Sequence, residues 1–211
     1  SETERIQVHK YAVAANLPEV FADAGQWMDS QTVTLLQEMK EGGIDHAWIG
    51  LNSWEQAYMK PELVETAVSQ DYLIASYDSY HSIHEPDREQ WITAQFDDQS
   101  LYENAVIRDH NGKPESGFQN VGRKLNPALS LPVVKNRMET IMSNQLPFNS
   151  WFIDCDATGE IYDDYTPSHI TTQEEDLAAR LERMSYIRDQ YHLVIGSEGG
   201  NDFAASDIAY A

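Results

Sequence analysis

The strongest constraint on this chain's fold is a repeated alternation of short apolar runs, each about a strand long, with stretches of helical spacing. Four runs carry it: Ala47-Trp48-Ile49-Gly50-Leu51, Tyr72-Leu73-Ile74-Ala75-Ser76-Tyr77, Trp151-Phe152-Ile153-Asp154-Cys155-Asp156 and Leu193-Val194-Ile195-Gly196. Residues 32–41 place Val33, Leu36 and Met39 on one helical face, and Gly42-Gly43 ends the pattern. Pro61 stands where a helix begins, ahead of an apolar stripe of Leu63, Val64, Ala67 and Val68. A helix is predicted over residues 133–144. Thr172-Gln173-Glu174-Glu175 is a capping box, followed at helical spacing by Leu177, Leu181, Met184 and Ile187. Residues 6–14, where Ile6, Val8, Tyr11 and Val13 roughly alternate, read as one more strand. Residues 86–130 break the rhythm. There Asn111-Gly112, between Ala105-Val106-Ile107 and Phe118, marks an excursion containing a hairpin.

Strands alternating with helices imply a parallel sheet with right-handed crossovers, either doubly wound or closed as a (β/α)8 barrel. The glycine-rich turn of dinucleotide-binding sheets is missing. The segments after the strands carry acids, Trp and Tyr instead, as the mouth of a TIM barrel does. A whole barrel takes roughly 250 residues, and four or five strands are recognisable here. Residues 1–211 are therefore expected to be part of a single (β/α)8 catalytic domain within a longer protein, with sheet edges that would otherwise be exposed.

Charge narrows the partners. Lys and Arg total 14 against 35 Asp and Glu, a formal charge of −21. Such a chain offers no basic face for nucleic acid or for an anionic membrane surface. No run of about 18 apolar residues suggests membrane insertion. One cysteine, Cys155, excludes an internal disulfide and a multi-cysteine zinc site.

The polar groups at the strand ends are Asn52 and Trp54; Asp78, Tyr80 and His81; Asp154 and Asp156; and Glu198. In a parallel barrel they would converge on one mouth. Asp154 and Asp156 are two apart on a predicted strand and so should share a face, with Cys155 turned toward the helices as a small hydrophobe. Two inward carboxylates need a reason, because an unpaired buried charge is costly. A carboxyl at Glu198, flanked by Gly199-Gly200, together with one from the neighbouring strand is the arrangement glycoside hydrolysis requires. Trp48, Trp54, Tyr77, Tyr80, Tyr162 and Tyr165 are aromatic platforms suited to sugar rings. The loop with Asp163, Asp164, Tyr165 and His169 either covers such a site or leads into the Thr172 cap. His81 and His84, three apart, have no third metal ligand near in sequence.

The segment Trp151-Phe152-Ile153-Asp154-Cys155-Asp156-Ala157-Thr158-Gly159, followed one helix later by Ile195-Gly196-Ser197-Glu198-Gly199-Gly200, resembles the barrels of the endo-α-N-acetylgalactosaminidases, glycoside hydrolase family 101, and the related family 129. Asp78-Ser79-Tyr80 is similar to a family segment in which an Asp-Asn-Tyr run reaches the sugar, with Ser79 in place of the Asn. The resemblance implies a retaining glycosidase with a carbohydrate substrate and no cofactor. Asp154 would be the nucleophile, with Asp156 as the second choice, and Glu198 the acid/base. Asp78, Tyr80, Trp54, Asn52 and Tyr165 would line the sugar site. Two other readings of the same residues stay open. One is a divalent-metal enzyme using Asp154, Asp156 and Glu198 with a loop histidine; the other is a carbohydrate-binding barrel without turnover.

Overall fold

The structure, a computed structural model, describes residues 1–28, 33–86, 88 and 91–211. In chain order its elements are α1 (Glu2–Asn16), α2 (Val33–Glu41), β1 (Trp48–Leu51), α3 (Trp54–Met59), α4 (Pro61–Ser69) and β2 (Leu73–Ser79). Then come β3 (Ser82–Ile83), α5 (Leu101–Asn104), β4 (Arg123–Lys124), α6 (Pro127–Met142), β5 (Ser150–Asp154), α7 (Gln173–Tyr191) and β6 (Val194–Ser197). Four strands form one sheet in the order β1-β2-β5-β6, and β3 and β4 form a separate antiparallel pair. β1 and β2 run parallel, with Trp48 opposite Leu73 and Leu51 opposite Ser76. The expected α/β fold with a parallel sheet is what the chain adopts.

Two compact units are distinguished, Ser1–Tyr77 with Thr140–Trp151, and Asp78–Glu139 with Phe152–Ala211. In the first, Leu36, Leu63, Val64, Ala67, Tyr72 and Ile74 are fully enclosed, so the stripes of α2 and α4 face inward as their spacing predicts. Asn149 continues the strand ladder there: its side chain accepts from the Ile74 amide at 2.8 Å and donates to the Tyr72 carbonyl at 2.9 Å. The second unit encloses Ile83, Val106, Ile107, Leu125, Val134, Met138, Ile153, Met184, Ile187 and Ile195. Arg108 and Pro114 bridge across a turn at Asn111-Gly112, in which the Asp109 carboxylate accepts from the Asn111 and Lys113 amides.

The helix termini follow side-chain chemistry closely. Thr172 and Glu175 cap each other's backbone at the start of α7. α6 begins six residues before the predicted residue 133, because Asn126 accepts from the Ala128 amide at 2.9 Å and Pro127 supplies a preset first turn; the helix then runs through Pro132. The predicted start of α2 at Thr32 lies outside the described residues. One expectation fails outright: residues 6–14 are not a strand but the body of α1. Ser1 and Glu4 make a second capping box, and the segment is rich in good helix formers such as Ala12, Ala14 and Ala15, which outweighs a short, imperfect alternation. Val8 and Tyr11 consequently stand in solvent.

After β6 the chain returns along that strand. Tyr210 bridges Gly196 in parallel fashion, its carbonyl accepts from the Ser197 amide at 3.2 Å, and the Ala209 amide donates to the Ile195 carbonyl at 2.7 Å.

Candidate active site

β5 delivers Asp154 at its last position, half-buried, with Ile153 enclosed behind it. The next residue ends the strand: Cys155 adopts φ +62, a left-handed conformation that destroys the two-residue alternation. Asp154 and Asp156 therefore do not share a face. Asp156 is 1% exposed and lies on the Arg183 guanidinium, with Oδ2 accepting from Nε at 2.5 Å and Oδ1 accepting from Nη2. Arg183 is itself enclosed and donates from Nη1 to Ser130 Oγ at 2.9 Å. Arg180 stands 3.8 Å from Asp156 while bonded to Asp176 at 2.6 Å. Two carboxylates, Asp156 and Asp176, thus stand against two guanidiniums under the strand end.

The same turn brings Cys155 forward rather than under the helices. Its Sγ is 3.6 Å from Glu198 Oε2 and within 4.8 Å of Asp154. Burial, together with these two carboxylates, pushes the thiol pKa far above its ordinary value, so the group is a protonated donor between two acceptors. Glu198 is exposed at the end of β6, one residue past a fixed point. The Ser197 hydroxyl accepts from the Ala157 amide at 3.1 Å, which ties the segment after β6 to the one after β5. Gly199, at φ +64, then turns the chain where a side chain would be strained.

The segment after β2 adds a third component. His81 is buried, with Nδ1 2.8 Å from Ser79 Oγ and 3.7 Å from Asp154 Oδ2. Burial pushes its pKa down to about 4, the Lys124, Arg183 and Arg180 charges act in the same direction, and Asp156 opposes them. The ring is therefore neutral at pH 7. Asp78 is wholly enclosed; its Oδ1 accepts from Arg137 Nη1 and from the Ser79 amide, each at 2.8 Å. Burial raises its pKa, and Arg137, the Tyr80 hydroxyl and the Ser79 amide pull it back. Arg137 also donates to the carbonyls of Ser79, Thr93 and Gln95. Tyr80 has no exposed surface and directs its hydroxyl at Met138 Sδ, 3.5 Å away.

The aromatic platforms separate by exposure. Tyr80 and Trp54 are enclosed, whereas Tyr165 is 52% exposed and meets the edge of the His110 ring at 6.3 Å. Asn52, in the first unit, is exposed after β1, and its backbone amide donates to Gln56 Oε1 at 2.8 Å. Asp164 is an internal fastening, accepting from Asn126, from the Arg108 and Thr166 amides, and lying 2.8 Å from His169. His81 and His84 do not pair; the His84 ring packs against Trp91 at 5.0 Å. Nor does Asp156 join Asp154 and Glu198 as a ligand set, since both its oxygens are taken by Arg183. Among the described residues the group able to hold a metal ion is His81, Asp154 and Cys155.

Lys124 and Arg183 act on this site without having been singled out in the sequence. Lys124 reaches Glu160 at 2.7 Å and bears on His81, and it comes from the far side of the 86–130 excursion.

A parallel α/β sheet that brings Asp154 and Glu198 to adjoining strand ends is an arrangement of glycosyl hydrolases. The family model described as glycosyl hydrolases related to the GH101 family, GH129, matches residues 38–211, and the chain belongs to that family. No curated protein sequence matches it. Among solved structures, the α-N-acetylgalactosaminidase NagBb from Bifidobacterium bifidum in its GalNAc complex superposes with TM-score 0.69 at 16% identity, over 99% of this chain and 42% of that one. Its ligand-free form gives 0.68 at 17%, over 85% and 31%. The cycloalternan-degrading enzyme from Trueperella pyogenes gives 0.53 at 10%, over 85% and 32%. At these identities the likeness is one of fold, and the chain spans less than half the length of these relatives.

Proposed function

We propose that this chain carries the catalytic carboxyl pair of a retaining glycoside hydrolase acting on α-linked N-acetylgalactosamine, built on part of a (β/α)8 barrel. The observation that carries this reading is the convergence of Asp154 and Glu198, from adjoining strands, on the two sides of the Cys155 thiol. The strand order β1-β2-β5-β6 supports the barrel, because neighbours in the sheet follow chain order with no reversal of the kind that marks a doubly wound sheet. The substrate follows the family and the NagBb likeness.

In this mechanism Asp154 attacks the anomeric carbon while Glu198 protonates the departing oxygen. Glu198, now a carboxylate, then takes a proton from water, which displaces Asp154 and restores the configuration. Asp156 is assigned to holding the strand end through Arg183 rather than to attack. Asp78 and Tyr80, both enclosed, are assigned to fixing the segment that carries His81, and the exposed Tyr165 to contact with the glycan.

The test uses the full-length protein on a panel of aryl α- and β-glycosides, with product configuration followed by NMR. Hydrolysis of the α-N-acetylgalactosaminide, with the α-anomer released first, is expected. Asp154→Asn and Glu198→Gln should each lower kcat at least 1,000-fold, roughly the scale reached when a reacting carboxyl is lost, with melting temperature unchanged. Full turnover in either variant, or first release of the β-anomer, would overturn the assignment.

A further inference from the structure

His81, Asp154 and Cys155 form a set that the hydrolytic mechanism does not use as a set. Their donor atoms all lie within 4.8 Å of one another, and two separations are already short, 3.7 Å from His81 Nδ1 to Asp154 Oδ2 and 3.6 Å from Cys155 Sγ to Glu198 Oε2. The geometry points to a binding site for a zinc-class divalent ion, with one nitrogen, one sulfur and two carboxylate oxygens, seated on the carboxylate assigned to nucleophilic attack.

Ligand bonds of about 2.0–2.3 Å in a tetrahedron put neighbouring donors roughly 3.3–3.8 Å apart. The two short separations meet that requirement as they stand. Among His81, Asp154 and Cys155 the remaining separations need no more than about 1.5 Å of closure, and the exposed Glu198, 3.6 Å from the thiol, would swing in as the fourth donor. A thiol beside an imidazole selects zinc or cadmium over magnesium, a harder ion that prefers oxygen donors alone. His81 Nδ1 lies 2.8 Å from the Ser79 hydroxyl, a contact it would exchange for the ion. Cys155 passes its one proton to solvent as the sulfur–metal bond forms. Two carboxylates and a thiolate then more than balance the ion's charge, so the nearby Lys124 is no obstacle.

Occupancy would block attack by Asp154 and proton transfer by Glu198 together, making the ion a competitive inhibitor of the proposed reaction. Binding itself does not depend on that reaction and is measured without sugar. On the full-length protein, cadmium should produce a thiolate-to-metal charge-transfer band in the ultraviolet, saturating at one equivalent and missing from Cys155→Ser. Zinc affinity, measured by competition with a chromophoric chelator, should fall tenfold or more in Cys155→Ser and in His81→Gln. Magnesium at the same concentration should not displace cadmium from the site. An unaltered cadmium spectrum in Cys155→Ser, or equal zinc affinity in all three proteins, would overturn the site. A protein that binds zinc in this way yet hydrolyses no glycoside would leave this inference standing and sink only the mechanism.

Discussion

Replacing Asp156 with alanine isolates a buried electrostatic commitment of the second unit. Asp156 is 1% exposed and holds Arg183, which has no exposed surface, through two hydrogen bonds. Without it the Arg183 guanidinium keeps a single side-chain acceptor, Ser130 Oγ at 2.9 Å, and Arg180 loses the carboxylate 3.8 Å away. Removing one partner of a buried pair costs about 3–5 kcal/mol. For a domain of this size that corresponds to a fall in Tm of roughly 6–20 °C. Arg183→Met together with Asp156→Ala removes both charges and should restore at least half of the loss, since an apolar replacement of a buried pair is often close to neutral. Scanning calorimetry of the full-length protein at pH 7 reads Asp156→Ala, Arg183→Met and the double variant, and raising the salt should change the differences little because the pair is shielded from solvent ions. An Asp156→Ala protein within about 1 kcal/mol of the parent, or a double variant as unstable as the sum of the singles, would refute the account. Asp156→Asn should keep its turnover within about tenfold below the melting transition, roughly 1.4 kcal/mol of barrier; a nucleophile would not.

Three further outcomes are expected. His81 has its pKa held down at about 4, so between that value and the 6.5 of the unfolded chain the unfolded state takes up a proton the fold refuses; stability is full above pH 6.5 and falls by about 3 kcal/mol as pH drops to 4. His81→Gln should remove that part of the slope of Tm against pH, and an unchanged slope would contradict it. Thr172→Ala breaks the capping box of α7 and should cost about 1 kcal/mol in a denaturant melt, with Thr172→Gly losing much less. Gly122→Ala forces a side chain onto φ +68 and a Cβ to 2.4 Å from the Ile83 carbonyl oxygen; it should cost about 1–3 kcal/mol and speed hydrogen exchange across β3 and β4.

The sheet was legible because each of its strands is a compact apolar run bounded by polar residues, and α7 because Thr172 and Glu175 stand in the one spacing that lets both cap. α1 escapes the sequence reading because four roughly alternating positions cannot be told from a helix by period alone, and its deciding feature is the Ser1–Glu4 cap. The strand-end acids were legible as chemistry but not as geometry. A cysteine carries no signal for a left-handed backbone, unlike Gly or Asn, so the alternation was carried one residue too far and Asp156 assigned to the wrong face. Its true partner, Arg183, lies 27 residues away on α7, and His81 reaches Asp154 from another strand end. Pairings of that kind depend on how strands are ordered in space, which spacing along the chain does not encode.

The double fixing of Ser197 has a mechanical consequence for its neighbour. Its amide is held by the Tyr210 carbonyl and its hydroxyl by the Ala157 amide, while Gly199 follows in the left-handed region at φ +64. Glu198 is thus a short crank on an anchored bearing. Its carboxyl can sweep through an arc about its own side-chain bonds while its backbone stays registered to the end of β5; in the proposed mechanism that would keep Glu198 and Asp154 in step through both halves of a turnover.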